Sequence, residues 1–258
     1  MEKWEIALNK FLKRYINKPW FEGAVLCGSY SVGNQNKFSD IDITIVASND
    51  LGWNEKANCY VDGFLIEYLI NPIYKYEYFM ESDFKIHKML IQNMFANGVI
   101  LYDKNGAVNK LHQTAVKYYN KKMKPLPKTV NDRTKYVLWC LYDDIKSLQN
   151  DGYPIDLPYW SLVNHLITAY CDFNCLPKMP SEKIQKMLVN KEYAKKYHAN
   201  NLPDKTFTKL LLACFDAKAK DIIELLPYCE KLNKSSKINI SVIKDANFNA
   251  IVKLIHSS

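Results

Sequence analysis

The stretch Val25 to Val46, VLCGSYSVGNQNKFSDIDITIV, decides how the first half of this 258-residue chain folds. An apolar run ends in Gly28-Ser29, a polar loop with a second glycine at Gly33 follows, and a new apolar run opens on Ser39-Asp40-Ile41-Asp42. The second run alternates as a strand does: Ile41, Ile43 and Ile45 share one face, and Asp40, Asp42 and Thr44 share the other. Side chains two apart on a strand have Cα atoms roughly 6.5 Å apart, so both carboxylates can converge on metal ions ~3.5 to 4 Å apart. Alone, two such anions repel. Magnesium resolves the repulsion, because it takes oxygen ligands from a few carboxylates, water and substrate phosphates. The Gly28-Ser29 bend supplies the complement: a backbone that can approach phosphate closely, an N–H donor and a hydroxyl.

Working outward, Asn58 to Ile70 (NCYVDGFLIEYLI) has two apolar runs flanking Asp62-Gly63, a dipeptide suited to a tight hairpin turn. In the second run Leu65 and Leu69 share the face of Glu67, while Phe64, Ile66, Tyr68 and Ile70 lie on the other. A lone acid on a strand that is apolar on both faces needs a reason, and a metal ligand, or a partner at the sheet's end, would provide one. Before this region, Trp4, Leu8, Phe11, Leu12 and Tyr15 give Met1 to Ile16 the pattern of an amphipathic helix and not of a signal peptide. A strand is expected over Ala24 to Cys27 and another over Ile41 to Val46. A helix is expected from about Asp83 to Asn97 with Ser82 as N-cap, leading through Gly98 into a strand Val99 to Tyr102.

Beyond the Lys-Pro-rich stretch Lys121 to Lys128 (KKMKPLPK) the apolar positions recur with a period near 3.6, and Gly152 is the only glycine there. Helices are expected over Asn131 to Gln149, Pro158 to Cys171, Ser181 to Tyr197 and Asp204 to Leu226, with room for another in Ile238 to Ile255. The fold class is therefore α+β: a mixed sheet with flanking helices in residues 1–124, followed by a helical bundle in residues 125–258.

Composition narrows the function. The seven cysteines are scattered, with neither a Cys-x-x-Cys nor a paired Cys/His spacing, which argues against a disulfide framework or a structural zinc and for reduced thiols in a cytoplasm. No apolar run is long enough to span a bilayer. The net charge of +8 is a mild lysine excess spread over both halves, and Arg14 and Arg133 are the only arginines. Such a surface suits a polyanionic small molecule, and no nucleic-acid partner is expected.

Gly28-Ser29, then about ten residues on Ser39-Asp40-Ile41-Asp42, then an acid on a later strand, resembles the DNA polymerase β-like nucleotidyltransferase superfamily. Ala96 to Gly106 (ANGVILYDKNG) resembles the segment that closes the catalytic domain in antibiotic nucleotidyltransferases, and a catalytic domain followed by a helical one is similar to the lincosamide and aminoglycoside enzymes. The resemblance implies a palm-like sheet in which Asp40 and Asp42 bind two Mg2+ ions, Glu67 completes the site, and Gly28 with Ser29 holds the β- and γ-phosphates of a nucleoside triphosphate. It implies transfer of a nucleoside monophosphate, AMP from ATP, to a hydroxyl of a small acceptor such as an antibiotic, with release of pyrophosphate, by a monomer or homodimer. One departure stands out. The loop Tyr30 to Phe38 holds Lys37 and no arginine, so Lys37 is a phosphate-binding candidate on charge alone, and Ser39 divides evenly between phosphate contact and turn-making.

Other residues admit plainer readings. Asp62 is a turn residue. Asp143 and Asp144 could offer a general base, but paired acids on a helix are usually a solvated face. His165 and His198 read as structural or exposed, and the aromatics of Tyr153 to Trp160 as core rather than acceptor pocket. Two rival functions keep the same fold: a transferase that modifies protein or RNA, and an antitoxin or regulatory protein that only binds nucleotide.

Overall fold

The computed structural model describes residues 2–196 and 202–216. The chain divides into two compact units, Met1–Lys122 and Met123–Ser258. In the first, α1 (Lys3–Leu12) leads to β1 (Phe21–Cys27), a single helical turn α2 (Gly28–Ser31), β2 (Ile41–Ala47), β3 (Glu55–Val61) and β4 (Phe64–Pro72). There follow α3 (Ile73–Lys85), α4 (Leu90–Asn97), β5 (Val99–Asp103) and α5 (Ala107–Tyr119). The sheet is mixed, in the order β3-β4-β2-β1-β5; β4 runs parallel to β2 and the other neighbours are antiparallel.

Strand alternation does what the sequence predicts. Ile41, Ile43 and Ile45 of β2 and Ile66 and Ile70 of β4 are buried against Ala7, Leu8, Phe11 and Leu12 of α1, whose spacing of one and three residues builds one helix stripe. Thr44 on the opposite face is also buried; its hydroxyl lies 3.5 Å from the Cys27 thiol, and the Tyr76 hydroxyl of α3 donates to the Ile45 carbonyl at 3.0 Å. The sheet is thus covered on both faces at its centre. Burial of this kind, worth roughly 1.5–3 kcal/mol for each large apolar side chain, holds the ends of β1 and β2 in place. Between β3 and β4, Asp62 (φ 49°) and Gly63 (φ 86°) both take the left-handed conformation that a type I′ hairpin turn requires.

The structure corrects two helix expectations in this unit. The helix expected from Asp83 with Ser82 as N-cap is two helices. Ser82 lies inside α3, where its hydroxyl donates to the Phe79 carbonyl at 3.3 Å, and the chain breaks at His87 (φ 59°) before α4. The N–H groups of Ile86 and Lys88 both return to the Asp83 carbonyl, and the buried Gln92 amide donates to the Met80 carbonyl, so the break is a packed corner. Pro72 immediately before the helix and the spacing Ile73, Tyr76, Met80 are the start signals for α3. The second correction is α5, an additional helix. Val108, Leu111, Ala115 and Tyr118 form its buried stripe, and the Asp103 carboxylate accepts from the N–H groups of Val108 (3.1 Å) and Asn109 (3.0 Å).

The described residues of the second unit are helical, as expected. They form α6 (Lys128–Asn150), α7 (Asp156–Phe173), α8 (Ser181–Val189), α9 (Lys191–Lys196) and α10 (Lys205–Asp216). Leu162, Leu166 and Tyr170 of α7 pack with Ile145, Ile184, Phe207 and Leu211, and the rings of Tyr170 and Phe207 stack at 4.0 Å. The single helix expected over Ser181 to Tyr197 is interrupted because the Asn190 side chain accepts from the Tyr193 N–H at 2.9 Å and starts α9. Asp204 caps α10 in the same way, accepting from Thr206 (2.8 Å) and Phe207 (3.1 Å). The expected helix beyond Asp216, the one over Ile238 to Ile255, and His198 lie outside the described residues. Among the described residues no helix is long and apolar enough to cross a membrane.

Candidate functional site

The site forms where three strand segments come level. Because β2 runs antiparallel to β1, its start lies beside the end of β1, and Asp42 is registered opposite Cys27. Because β4 runs parallel to β2, Glu67 is registered opposite Asp42. Residues opposite each other on neighbouring strands present side chains to the same face. Asp40, just before β2, joins them, and the three carboxylates offer oxygens that all lie within 4.8 Å of one another. All three side chains are half-buried.

Gly28 completes the geometry. It takes φ +64°, and a Cβ built on it would fall 1.8 Å from Oδ2 and 2.8 Å from Cγ of Asp42. Only a residue without a side chain lets the backbone bend pass directly over that carboxylate. The turn that follows is held by the Ser31 hydroxyl donating to the Gly28 carbonyl (2.9 Å) and the Asn34 N–H donating to the Ser29 carbonyl (2.9 Å). Tyr30 on the same turn packs on Trp4 of α1, with ring centroids 4.9 Å apart. Burial, with help from the charges of Asp40 and Glu2, raises its phenol pKa and keeps it protonated. The Cys27 thiol next to Gly28 is fully enclosed and pushed up to about 12, chiefly by burial, so it is a packing group and not a nucleophile.

The remaining candidates occupy other places. The Ser39 hydroxyl accepts from the Asn36 N–H at 2.9 Å and its own N–H donates to the Asn36 carbonyl at 3.0 Å, a compact turn. Lys37 is exposed, with its ammonium 4.8 Å from the centre of the Phe38 ring. Asp62 of the hairpin turn pairs with Lys10 at 2.7 Å. Asp143 and Asp144 are exposed on α6 of the second unit, and the His165 ring bonds the Ser161 carbonyl within its own helix at 2.8 Å.

One residue at the site is not evident from sequence spacing. The Lys56 ammonium on β3 lies 2.8 Å from Oε1 of Glu67. Its pKa is raised first by the hydrogen bond to Glu67, then by the charge of Glu67 and, more weakly, of Asp42. The signal that reveals it is the tight Asp62-Gly63 turn. Counting back across it pairs Asn58 with Glu67, and alternation then sets Lys56 and Tyr60 on the same face.

Residues 8–107 match the family described as Polymerase beta, Nucleotidyltransferase. A comparison with curated proteins finds no match. Among solved structures the chain is similar to a nucleotidyltransferase-like protein from Exiguobacterium sibiricum 255-15, with 12% identity over 89% of this chain and 78% of that one and a TM-score of 0.40. The matched residues contain all five strands, the three carboxylates and the Gly28-Ser29 turn, so this chain carries a nucleotidyltransferase domain of the polymerase β-like superfamily.

Proposed function

We propose that the protein transfers a nucleoside monophosphate, AMP from ATP, to a hydroxyl of a small acceptor such as an antibiotic, using Mg2+. Residues 1–124 act as catalytic domain in this reading and residues 125–258 as the helical domain. The observation that carries it is the meeting of Asp40, Asp42 and Glu67 within 4.8 Å, directly against a glycine bend.

The donor set fits the metal. Three carboxylates on one rigid face are hard oxygen ligands, few in number, which leaves positions for water and phosphate oxygens as Mg2+ prefers. Asp40 and Asp42 would hold both ions and Glu67 one of them. The chemistry such ions supply when bound is acidification of the acceptor hydroxyl and neutralisation of charge on the leaving pyrophosphate. The protein's own part is positioning. The Gly28-Ser29 turn presents an N–H and a hydroxyl to the phosphates, and the missing side chain at Gly28 keeps them close to Asp42. The register of β2 with β1 and β4 brings the three carboxylates level on one face before substrate arrives. In the transfer the acceptor oxygen bonds to the α-phosphorus, the bond to pyrophosphate breaks, and the hydroxyl proton is released.

The test is an acceptor screen with radiolabelled ATP, GTP, CTP and UTP, Mg2+ and a panel including aminoglycosides and lincosamides. One labelled acceptor with matching pyrophosphate is expected, favouring ATP, and chelation by EDTA is expected to stop it. Nucleotide binding without product from any acceptor would contradict transfer and favour a regulatory role.

A further inference from the structure

β3 is an edge strand of the sheet, and Lys56 stands on it with its side chain 71% exposed. Its register partner is Leu69 and Glu67 pairs with Asn58, so the lysine reaches diagonally along the face to place its ammonium 2.8 Å from Glu67 Oε1. An exposed lysine on an edge strand ordinarily points to water, where it also discourages pairing with other chains. Here it occupies an oxygen of the third carboxylate of a cluster that gathers divalent cations in the reading above.

We propose that Lys56 is a placeholder cation: it holds Glu67 level with Asp42 until divalent ions load, and then yields the carboxylate to them. The inference rests on that metal-binding reading. Lys56 is thus a positioning residue acting through Glu67. An ion pair this exposed, with Glu67 37% accessible, is weak enough for a divalent ion to displace. The ion nonetheless has to compete for Glu67 and accept a positive charge a few ångströms away. The placeholder therefore lowers metal affinity in the absence of triphosphate.

The test is Mn2+ binding to the full-length protein without nucleotide, followed by the electron paramagnetic resonance of free Mn2+. Lys56→Met keeps the aliphatic stem and loses the charge, and is expected to bind Mn2+ about three- to tenfold more tightly than wild type. Lys56→Gln, a second neutral variant, is expected to do the same, and Lys56→Arg to stay near wild type. A purely structural lysine predicts the opposite, since Glu67 would lose its support and bind Mn2+ less well. Unchanged or weaker binding in both neutral variants, with wild type still binding, overturns the role of Lys56 alone. No Mn2+ uptake by wild type overturns the metal site and the placeholder together.

Discussion

Asp42→Asn is expected to reduce nucleotidyl transfer by roughly a thousandfold or more while leaving the fold intact. Asp42 is the centre of the cluster: it faces Cys27 across one strand pair and Glu67 across the other, and its Oδ2 is the atom nearest the Gly28 bend. Asparagine has the same shape and retains one carbonyl oxygen, but it carries no charge and is a poor ligand for Mg2+. Loss of one negative charge from a crowded set of three relieves repulsion, so stability is expected to hold or rise by about 0.5 kcal/mol. Turnover and thermal unfolding measured on the same preparation check both halves of the prediction. Full activity in this variant would remove Asp42 from the chemistry, and an unfolded variant would make it a structural residue.

Gly28→Ala is expected to damage stability and activity together. Alanine at φ +64° costs about 1–2 kcal/mol from backbone strain alone. The new methyl would also lie 1.8 Å from Asp42 Oδ2, a distance no pair of such atoms can hold. The strand cannot retreat, because Ile41 and Ile43 on either side of Asp42 are buried under α1. The carboxylate therefore swings away, and with it the level arrangement of Asp42 and Glu67. A total loss of about 2–4 kcal/mol is expected, with turnover reduced by roughly a hundredfold in the fraction that folds. Gly33→Ala is the internal control. Gly33 has φ +66° but nothing within 4 Å of its Cβ position, so it is expected to cost only the strain and to keep most activity. Chemical denaturation and kinetics of the two variants separate strain from the clash with Asp42, and equal loss of activity in both would contradict the role given to Gly28.

The site is legible in the sequence wherever it depends on local periodicity. The alternation around Ile41, Ile43 and Ile45 sorts Asp40 and Asp42 to one face, and the Asp62-Gly63 turn sets Glu67 on its strand. What local pattern cannot supply is the parallel pairing of β2 with β4, a long-range choice that brings Glu67 level with Asp42. Lys56 is placed by a different pairing, β3 with β4, which the Asp62-Gly63 turn signals but charge alone does not, so charge draws attention to Lys37 instead. The corner at His87 is tertiary in origin: the left-handed residue and the buried Gln92 make sense only once α3 and α4 pack on each other. The helix α5 is a different case. Its stripe Val108, Leu111, Ala115 and Tyr118 and its Asp103 cap are both legible in the sequence, and the prolines of Lys121 to Lys128 follow it as a stop.

Crystals grown with Mn2+ and a non-hydrolysable ATP analogue show whether Asp40, Asp42 and Glu67 bind divalent ions facing a triphosphate on the Gly28-Ser29 turn. Anomalous Mn2+ peaks are expected within coordination distance of these carboxylates, with phosphate oxygens at the Gly28-Ser29 backbone. Clear nucleotide density elsewhere, or carboxylates without Mn2+ beside a bound triphosphate, would contradict that binding mode.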